Sequence, residues 1–324
     1  MSKQINMELI NQTTFGVEIE TACISRESAA RVAAGVFGTN IVKDRRECGY
    51  GRFSAYDSEG REWAFVSDSS IQDGHGSRDR FGGCELNTPP LTYERDIELL
   101  QNVIRALRNA GAKSGPEYGC GIHVHVSGAG HTPKTVSNFV NLIYSNYDLV
   151  SKSLGITEGR RHWCMDFSDG MMNDLDFANA FKKAVTFDKQ ADVWYDNFAR
   201  YQDRNAHYNG SRYHLLNLHR FFSTLGKPSN TIEIRAFNAT LHAGAVRAYV
   251  LLVLSMNASA LTQKNIKAEK NPIMLAGNEK FAMRTWLNRM GWTGETFKNP
   301  HKLFIERLNG NSAWRFGKNG DLYR

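Results

Sequence analysis

Alternation of apolar and polar residues marks three short stretches as strands with one wet face. In Thr14–Glu20, Val17 and Ile19 alternate with Glu18 and Glu20. In Gly121–Ser127, Ile122, Val124 and Val126 alternate with His123, His125 and Ser127. In Thr231–Phe237, Ile232 and Ile234 alternate with Glu233 and Arg235. Successive side chains on a strand point to opposite faces, so each strand gathers its apolar residues on one face and its ionisable residues on the other. Shorter strands are expected at Trp63–Val66, at Cys84–Asn87, which carries Glu85 and is stopped by Pro89 and Pro90, and near Tyr213–Leu218. The stretch Val66–Ile71 adds Asp68 and Ser70, again two apart.

Between these strands the period changes to that of helices. Ala29, Val32, Ala33 and Val36 form a stripe over Ser25–Phe37, with Ser25 as cap and Gly38 as stop. Ile97, Leu100, Val103, Ile104 and Leu107 share one face of a helix that starts near Thr92 and ends at Gly111. Thr132-Pro133 opens another that runs to about Leu154, and a long apolar helix is expected from about His242 to Leu261. Residues 40–62 read as a loop or hairpin. Residues 156–211 read as helices inserted between sheet strands, and the tail as helical around Glu279–Arg289 and Pro300–Leu308. The segment Gln72–Gly83 is a Gly- and Arg-rich loop, either a lid over a site or a surface insertion.

Composition narrows the class. The chain has 324 residues, 41% hydrophobic and 23% charged, which suffices for a sizeable core. No run of about 18 apolar residues suggests a membrane span, and the first residues lack the apolar core of a secretory signal. Five scattered cysteines without a C-x-x-C pair argue against a disulfide framework or zinc knuckle, so a cytoplasmic setting is expected. Cys84 and Cys120 flank site strands, and a thiol nucleophile there is the less favoured reading. Trp163, Met165, Met171 and Met172 read as core filling, and His207, His214, His219 and His242 as surface or satisfied histidines. A net charge of +7 favours anionic partners such as nucleotides, phosphates or acidic substrates and leaves nucleic acid open.

One strand with alternating charge is an ordinary solvent-facing strand. Three of them mixing acids, histidines and an arginine point to a site. Two carboxylates about 4 Å apart repel by roughly 4 kcal/mol at an effective dielectric near 20, so converging acids demand cations or raised pKa values. Mg2+ suits such a cluster, because it takes carboxylate oxygens and keeps positions for water and phosphate. His123 could complete one metal shell, and Arg235 and His125 could hold phosphate oxygens.

The residues carry a family resemblance. Phe15–Glu20, Trp63–Ile71, Glu85–Leu91, Gly121–Ser127, Arg212–Asn217 and Thr231–Thr240 resemble, in that order, the motifs of the amidoligase family. This family is a branch of the carboxylate–amine ligase superfamily that includes glutamine synthetase and glutamate–cysteine ligase. The resemblance implies an α+β fold, a curved, mainly antiparallel sheet forming a glutamine-synthetase-like funnel with helices on its outer face. It implies a catalytic domain over 1–262 with a helical insertion at about 156–211, and a mostly helical extension over 263–324 packed on it. By analogy, Glu18, Glu20, Glu85, His123 and Glu233 would ligate two or three Mg2+, for which Mn2+ could substitute. His125, Ser127, Arg235 and Arg212 would contact ATP, and Asp68, Glu85, Arg235 and Arg212 would act in catalysis. The implied reaction joins a small-molecule or peptide carboxylate to an amine through an acyl phosphate. The competing readings are a phosphotransferase on the same scaffold, a metal-dependent hydrolase, and an inactive polyanion-binding protein.

Overall fold

The computed structural model describes residues 3–316 except 41, 46–50, 74, 76, 80, 82 and 272–276. Among the described residues nine strands form one sheet: β1 (Thr14–Thr21), β2 (Val42–Arg45), β3 (Arg52–Tyr56), β4 (Glu62–Val66), β5 (Cys84–Asn87), β6 (Leu91–Thr92), β7 (Gly121–Ser127), β8 (Leu216–Asn217) and β9 (Thr231–Asn238). Their order is β2-β3-β4-β5-β1-β7-β9-β8, β6 pairs with the start of β1, and every pairing is antiparallel. The class is therefore α+β with a mainly antiparallel sheet.

The two faces differ as the alternation requires. Val17, Ile19, Ile122, Val124, Val126 and Ile232 have no exposed surface. Burying an aliphatic side chain of this size contributes about 1.5–3 kcal/mol, so this face fixes the register: a slip by one residue would turn the aliphatics outward. Helices cover it. They are α1 (Lys3–Gln12), α2 (Arg26–Phe37), α3 (Tyr93–Asn109), α4 (Pro133–Leu154) and α9 (Ala243–Thr262). Ser25 caps α2 by accepting from the Ser28 amide, and Thr132 caps α4 through Thr135. Thr92 precedes α3 without a side-chain cap bond. The helix α9 is long and apolar enough to cross a membrane, yet it is mostly buried against β7, α1, α3 and α4.

Residues 40–62 are not a plain loop: β2 and β3 form a hairpin and β4 follows. The strand expected at Tyr213–Leu218 shrinks to β8, because Gly210–Tyr213 is a 3-10 turn and His219 already begins the short helix α8 (His219–Ser223). The inserted segment folds as α5 (Glu158–Arg161), α6 (Asp174–Lys183) and α7 (Phe187–Phe198). Its Met171 and Met172 lie at the surface rather than in the core. The last two helices are Glu279–Arg289 and Glu295–Ile305, so Pro300 sits inside a helix instead of opening one. They join the same core: the Trp292 indole donates to Ser255 Oγ at 2.7 Å and Ser153 Oγ donates to the Phe304 carbonyl at 2.6 Å.

Candidate active site and metal-binding groups

The polar face of the sheet is assembled by register. Glu18 sits opposite Asn87 on one side and His123 on the other, Glu20 opposite Glu85, and Glu233 opposite both His125 and Asn217. Directly paired residues of antiparallel strands share a face, so four strands deliver ionisable side chains to one surface and β8 adds Asn217. In β9 the register shifts between Ile122 and Val124 of β7, which places Arg235 and Ala236 opposite His123. This bulge re-aims Arg235 while returning Phe237 to the apolar face.

Asp68 arrives differently. It lies beyond β4, in a turn rather than a strand, where its Oδ1 accepts from the Ser70 amide and hydroxyl, both at 2.7 Å. Gly83 holds this turn against the start of β5: its φ is +68°, in the left-handed region, and a Cβ there would lie 2.5 Å from the Asp68 carbonyl oxygen.

The ionisable groups surround a cleft of about 610 Å³. Within it, ligand-type atoms fall into two groups, Glu18–His125–Glu233 and Glu20–Asp68–Glu85, in each of which they lie within 4.8 Å of one another. His123 stands between them. Its Nδ1 is 2.7 Å from Glu18 Oε2, and its Nε2 is 3.0 Å from Arg160 Nη2 and 3.7 Å from Glu20 Oε1. An arginine can only donate, so Nε2 accepts and the ring proton sits on Nδ1, directed at Glu18. Both nitrogens of His123 are thus engaged. His125 Nε2 is 3.1 Å from Glu18 Oε1 and 4.0 Å from Glu233 Oε1, but it is buried without hydrogen-bond geometry to either.

The two groups differ in electrostatics. Arg235 Nη1 donates to Glu233 Oε1 at 2.7 Å and Asn217 donates to Glu233 Oε2 at 2.6 Å. Burial alone would raise the Glu233 carboxyl, but Arg235 and the two histidines outweigh it and bring it down to about 2. Glu18 is likewise held well below the carboxylate range, because His125 and the His123 hydrogen bond outweigh burial. In the other group burial prevails. It lifts Glu20 to about 7 despite Arg160 and the Gly121 amide, and lifts Glu85 well above its ordinary value with the help of the Glu18 and Glu20 charges. Burial and the Arg235 charge push His123 down to about 4, whereas the Glu18 and Glu233 charges overcome burial and raise His125.

Most of the residues singled out in the sequence line this cleft: Glu18, Glu20, Asp68, Glu85, His123, His125, Arg212, Glu233 and Arg235. Arg212 is at the rim, its Nη1 donating to the His207 carbonyl and its guanidinium 5.6 and 5.8 Å from the Tyr208 and Tyr213 ring centres. Ser127 is not brought to the cleft. It lies at the end of β7, where its Oγ accepts from the Ala129 amide. Trp163, His207 and His219 line the cleft rather than serving only as core or outer surface. Burial raises the thiols of Cys84, to about 12, and Cys120, which leaves neither a ready nucleophile.

Arg160, from α5, has no signal in the strand pattern. It is 6% exposed, and its Nη2 donates to His123 Nε2 and to the Arg235 carbonyl at 3.1 Å. Gly121 makes room for it: a Cβ at that position would lie 2.1 Å from the guanidinium. Gly121 opening the H-x-H strand was the available cue.

The donor set is oxygen-rich with one imidazole nitrogen, and the buried His125 Nε2 lacks a hydrogen bond. Such a set fits a hard divalent cation in each group better than a Cys- or His-rich zinc site.

The fold and site are therefore an antiparallel sheet that carries paired acidic groups, histidines and arginines on one face. The model of the family described as "putative amidoligase enzyme" matches residues 11–257, about three quarters of the chain. The protein belongs to this family. No curated protein matches the chain.

Proposed function

We propose that this protein is an ATP- and Mg2+-dependent ligase that joins a carboxylate to an amine. The observation that carries the reading is the pair of acidic groups on one sheet face, with Arg235 paired to Glu233 in one of them, together with a family whose description is that of an amide-forming enzyme. On this reading the polar face is the wall of a funnel of the glutamine synthetase kind.

Glu18, His125 and Glu233 would hold one cation, and Glu20, Asp68 and Glu85 a second. His123 serves by orienting Glu18, since its own nitrogens are committed to Glu18 and Arg160. Bound cations supply charge neutralisation at phosphate oxygens as the γ-phosphoryl group leaves ADP. In that step the bond from the γ-phosphorus to the bridging oxygen breaks, and a bond from phosphorus to a substrate carboxylate oxygen forms. Arg235, fixed by Glu233, and Arg212, at the rim, bind the phosphate oxygens. The amine nitrogen then attacks the acyl carbon and phosphate departs. The amine proton passes to a carboxylate oxygen of the cleft that the cations leave free. The rim aromatics Tyr208 and Tyr213 offer surface to the adenine and limit water at the reacting carbon.

The test is calorimetric titration of a non-hydrolysable ATP analogue into wild type and Glu18→Ala, with and without Mg2+. Binding that requires Mg2+ and is lost in the folded variant is expected. Binding indifferent to both would remove the reading.

A further inference from the structure

A second cleft, of about 450 Å³, branches from the first at the Asp68–Ser70 turn. The two share Ser70, Gly119, Arg160 and Trp163, so one elongated molecule can occupy both. Their linings differ in balance. The main cleft mixes five carboxylates with four arginines, whereas the branch is lined, among the described residues, by two arginines, Arg78 and Arg160, and by no acidic residue.

Both cations have capacity to spare. Arg160 spends Nη2 on His123 and the Arg235 carbonyl, its Nε is buried without a hydrogen-bond partner, and among the described residues no carboxylate lies within ion-pair distance of it. A guanidinium taken out of water without an anion carries an unrecovered desolvation cost. Arg78 lines the same branch and is exposed, its backbone bridged to that of Gln72. Two arginines lining one small concavity suit a compact anionic group.

We propose that the branch cleft binds a second anionic group of the carboxylate substrate, so that this substrate is at least dianionic. One carboxylate lies at the acidic groups for activation and the other acidic group, a carboxylate or a phosphate, lies between Arg78 and Arg160. The inference rests on the ligase reading for the identity of the molecule that spans both clefts. Trp163 at the junction provides apolar surface for the spacer between the two ends. Selectivity then comes from the branch cleft, because a monoacid leaves Arg160 unpaired.

The experiment is calorimetric binding to the full chain, without nucleotide, of glutarate, its monoamide and inorganic phosphate. Each is titrated into wild type and Arg78→Gln, a change at an exposed residue that leaves the core untouched. Glutarate or phosphate is expected to bind wild type at least tenfold more tightly than the monoamide, with that preference lost in the variant. A preference for glutarate identifies a dicarboxylate, and a preference for phosphate identifies a phosphorylated acid. Binding by none of the three probes, or equal binding by the variant, would overturn the proposal. Hydroxamate formation from ATP, hydroxylamine and glutarate separates the two ideas. An Arg78-dependent preference for glutarate without hydroxamate from it removes the ligase reading alone. Hydroxamate formed equally well from the monoamide, and unchanged in Arg78→Gln, removes the branch-cleft assignment alone.

Discussion

Glu18–His125–Glu233 and Glu20–Asp68–Glu85 lie in the same cleft, yet the carboxyls of Glu18 and Glu233 are lowered while those of Glu20 and Glu85 are raised. Burial is the largest influence at Glu18, Glu20, Glu85 and Glu233 alike and pushes every one of them up. What differs is the cation within reach. Glu233 holds Arg235 at 2.7 Å and has both histidines beside it, so the first group is a compensated ion network before any metal arrives. The carboxylates of the second group have no ion pair with a lysine or arginine among the described residues, and Arg160 acts on Glu20 only through space. The comparison teaches that one group holds the site together while the other awaits a charge. Nearby cations, more than depth of burial, decide which acid does which.

The sharpest way to break this contrast is to delete one acid from each group in the metal-free protein. Glu233→Ala leaves Arg235 buried with no carboxylate at hydrogen-bond distance and Asn217 without its acceptor. Losing one partner of a buried pair costs about 3–5 kcal/mol, and denaturant unfolding at pH 7 should register a loss of this size. A change below about 1 kcal/mol would mean that solvent or Glu18 already satisfies Arg235.

Glu20→Gln should act in the reverse sense. Burial makes the folded protein hold the Glu20 proton to about pH 7, against an ordinary carboxyl value of 4.5. Below pH 4.5 the carboxyl is protonated whether folded or unfolded and contributes no difference. Between 4.5 and 7 the unfolded chain loses its proton first, so the wild type loses stability as pH rises. Above 7 the penalty is complete, on the order of 3 kcal/mol. A glutamine keeps an acceptor for the Gly121 amide, which lies 2.6 Å from Glu20 Oε2, and carries no charge. The stability difference between variant and wild type should therefore grow from near zero at pH 4.5 to its full value by pH 8. Histidines common to both proteins, including His123 and His214, cancel in the difference. A variant less stable than wild type at pH 8 would show that Arg160 compensates Glu20, and the two groups would no longer contrast.

The alternation in β1, β7 and β9 made Glu18, Glu20, His123, His125 and Glu233 legible, because a strand's period fixes the face on which a residue lies. The bulge was not legible, because Ala236 continues the apolar alternation of Ile232 and Ile234 and only the pairing to β7 reveals the shift. Alternation says nothing of where along a strand the cleft ends, which is why Ser127, sharing a face with His125, falls outside it. Asp68 was picked for a spacing of two, but a turn closed by its own side chain delivers it. Arg160 belongs to a four-residue helix in the inserted segment, and its position depends on a crossing over Gly121 that no local pattern encodes. The loop Gln72–Gly83, read as a lid or insertion, lies partly outside the described residues.

The smallest effect tests how the turn prepares the uncompensated group. Ser70→Ala removes one of the two hydrogen bonds on Asp68 Oδ1 and keeps the backbone bond, so the turn persists while the carboxylate gains freedom. Groups that orient a metal-binding side chain typically change metal affinity by 10- to 100-fold when removed, and with half of the support retained a loss near the lower end, about tenfold, is expected. Mg2+ titrated against thermal unfolding at pH 8 provides the measure, since a cation bound only by the folded state raises the midpoint according to its affinity. The metal-free midpoint should hardly move, because Asp68 is only half-buried. An unchanged Mg2+ response in Ser70→Ala would place the second cation away from Asp68 and leave Glu20 and Glu85 to hold it. A metal-free midpoint that falls steeply would instead make the Ser70–Asp68 turn a structural element of β4 and β5, and the uncompensated group would lose its third donor.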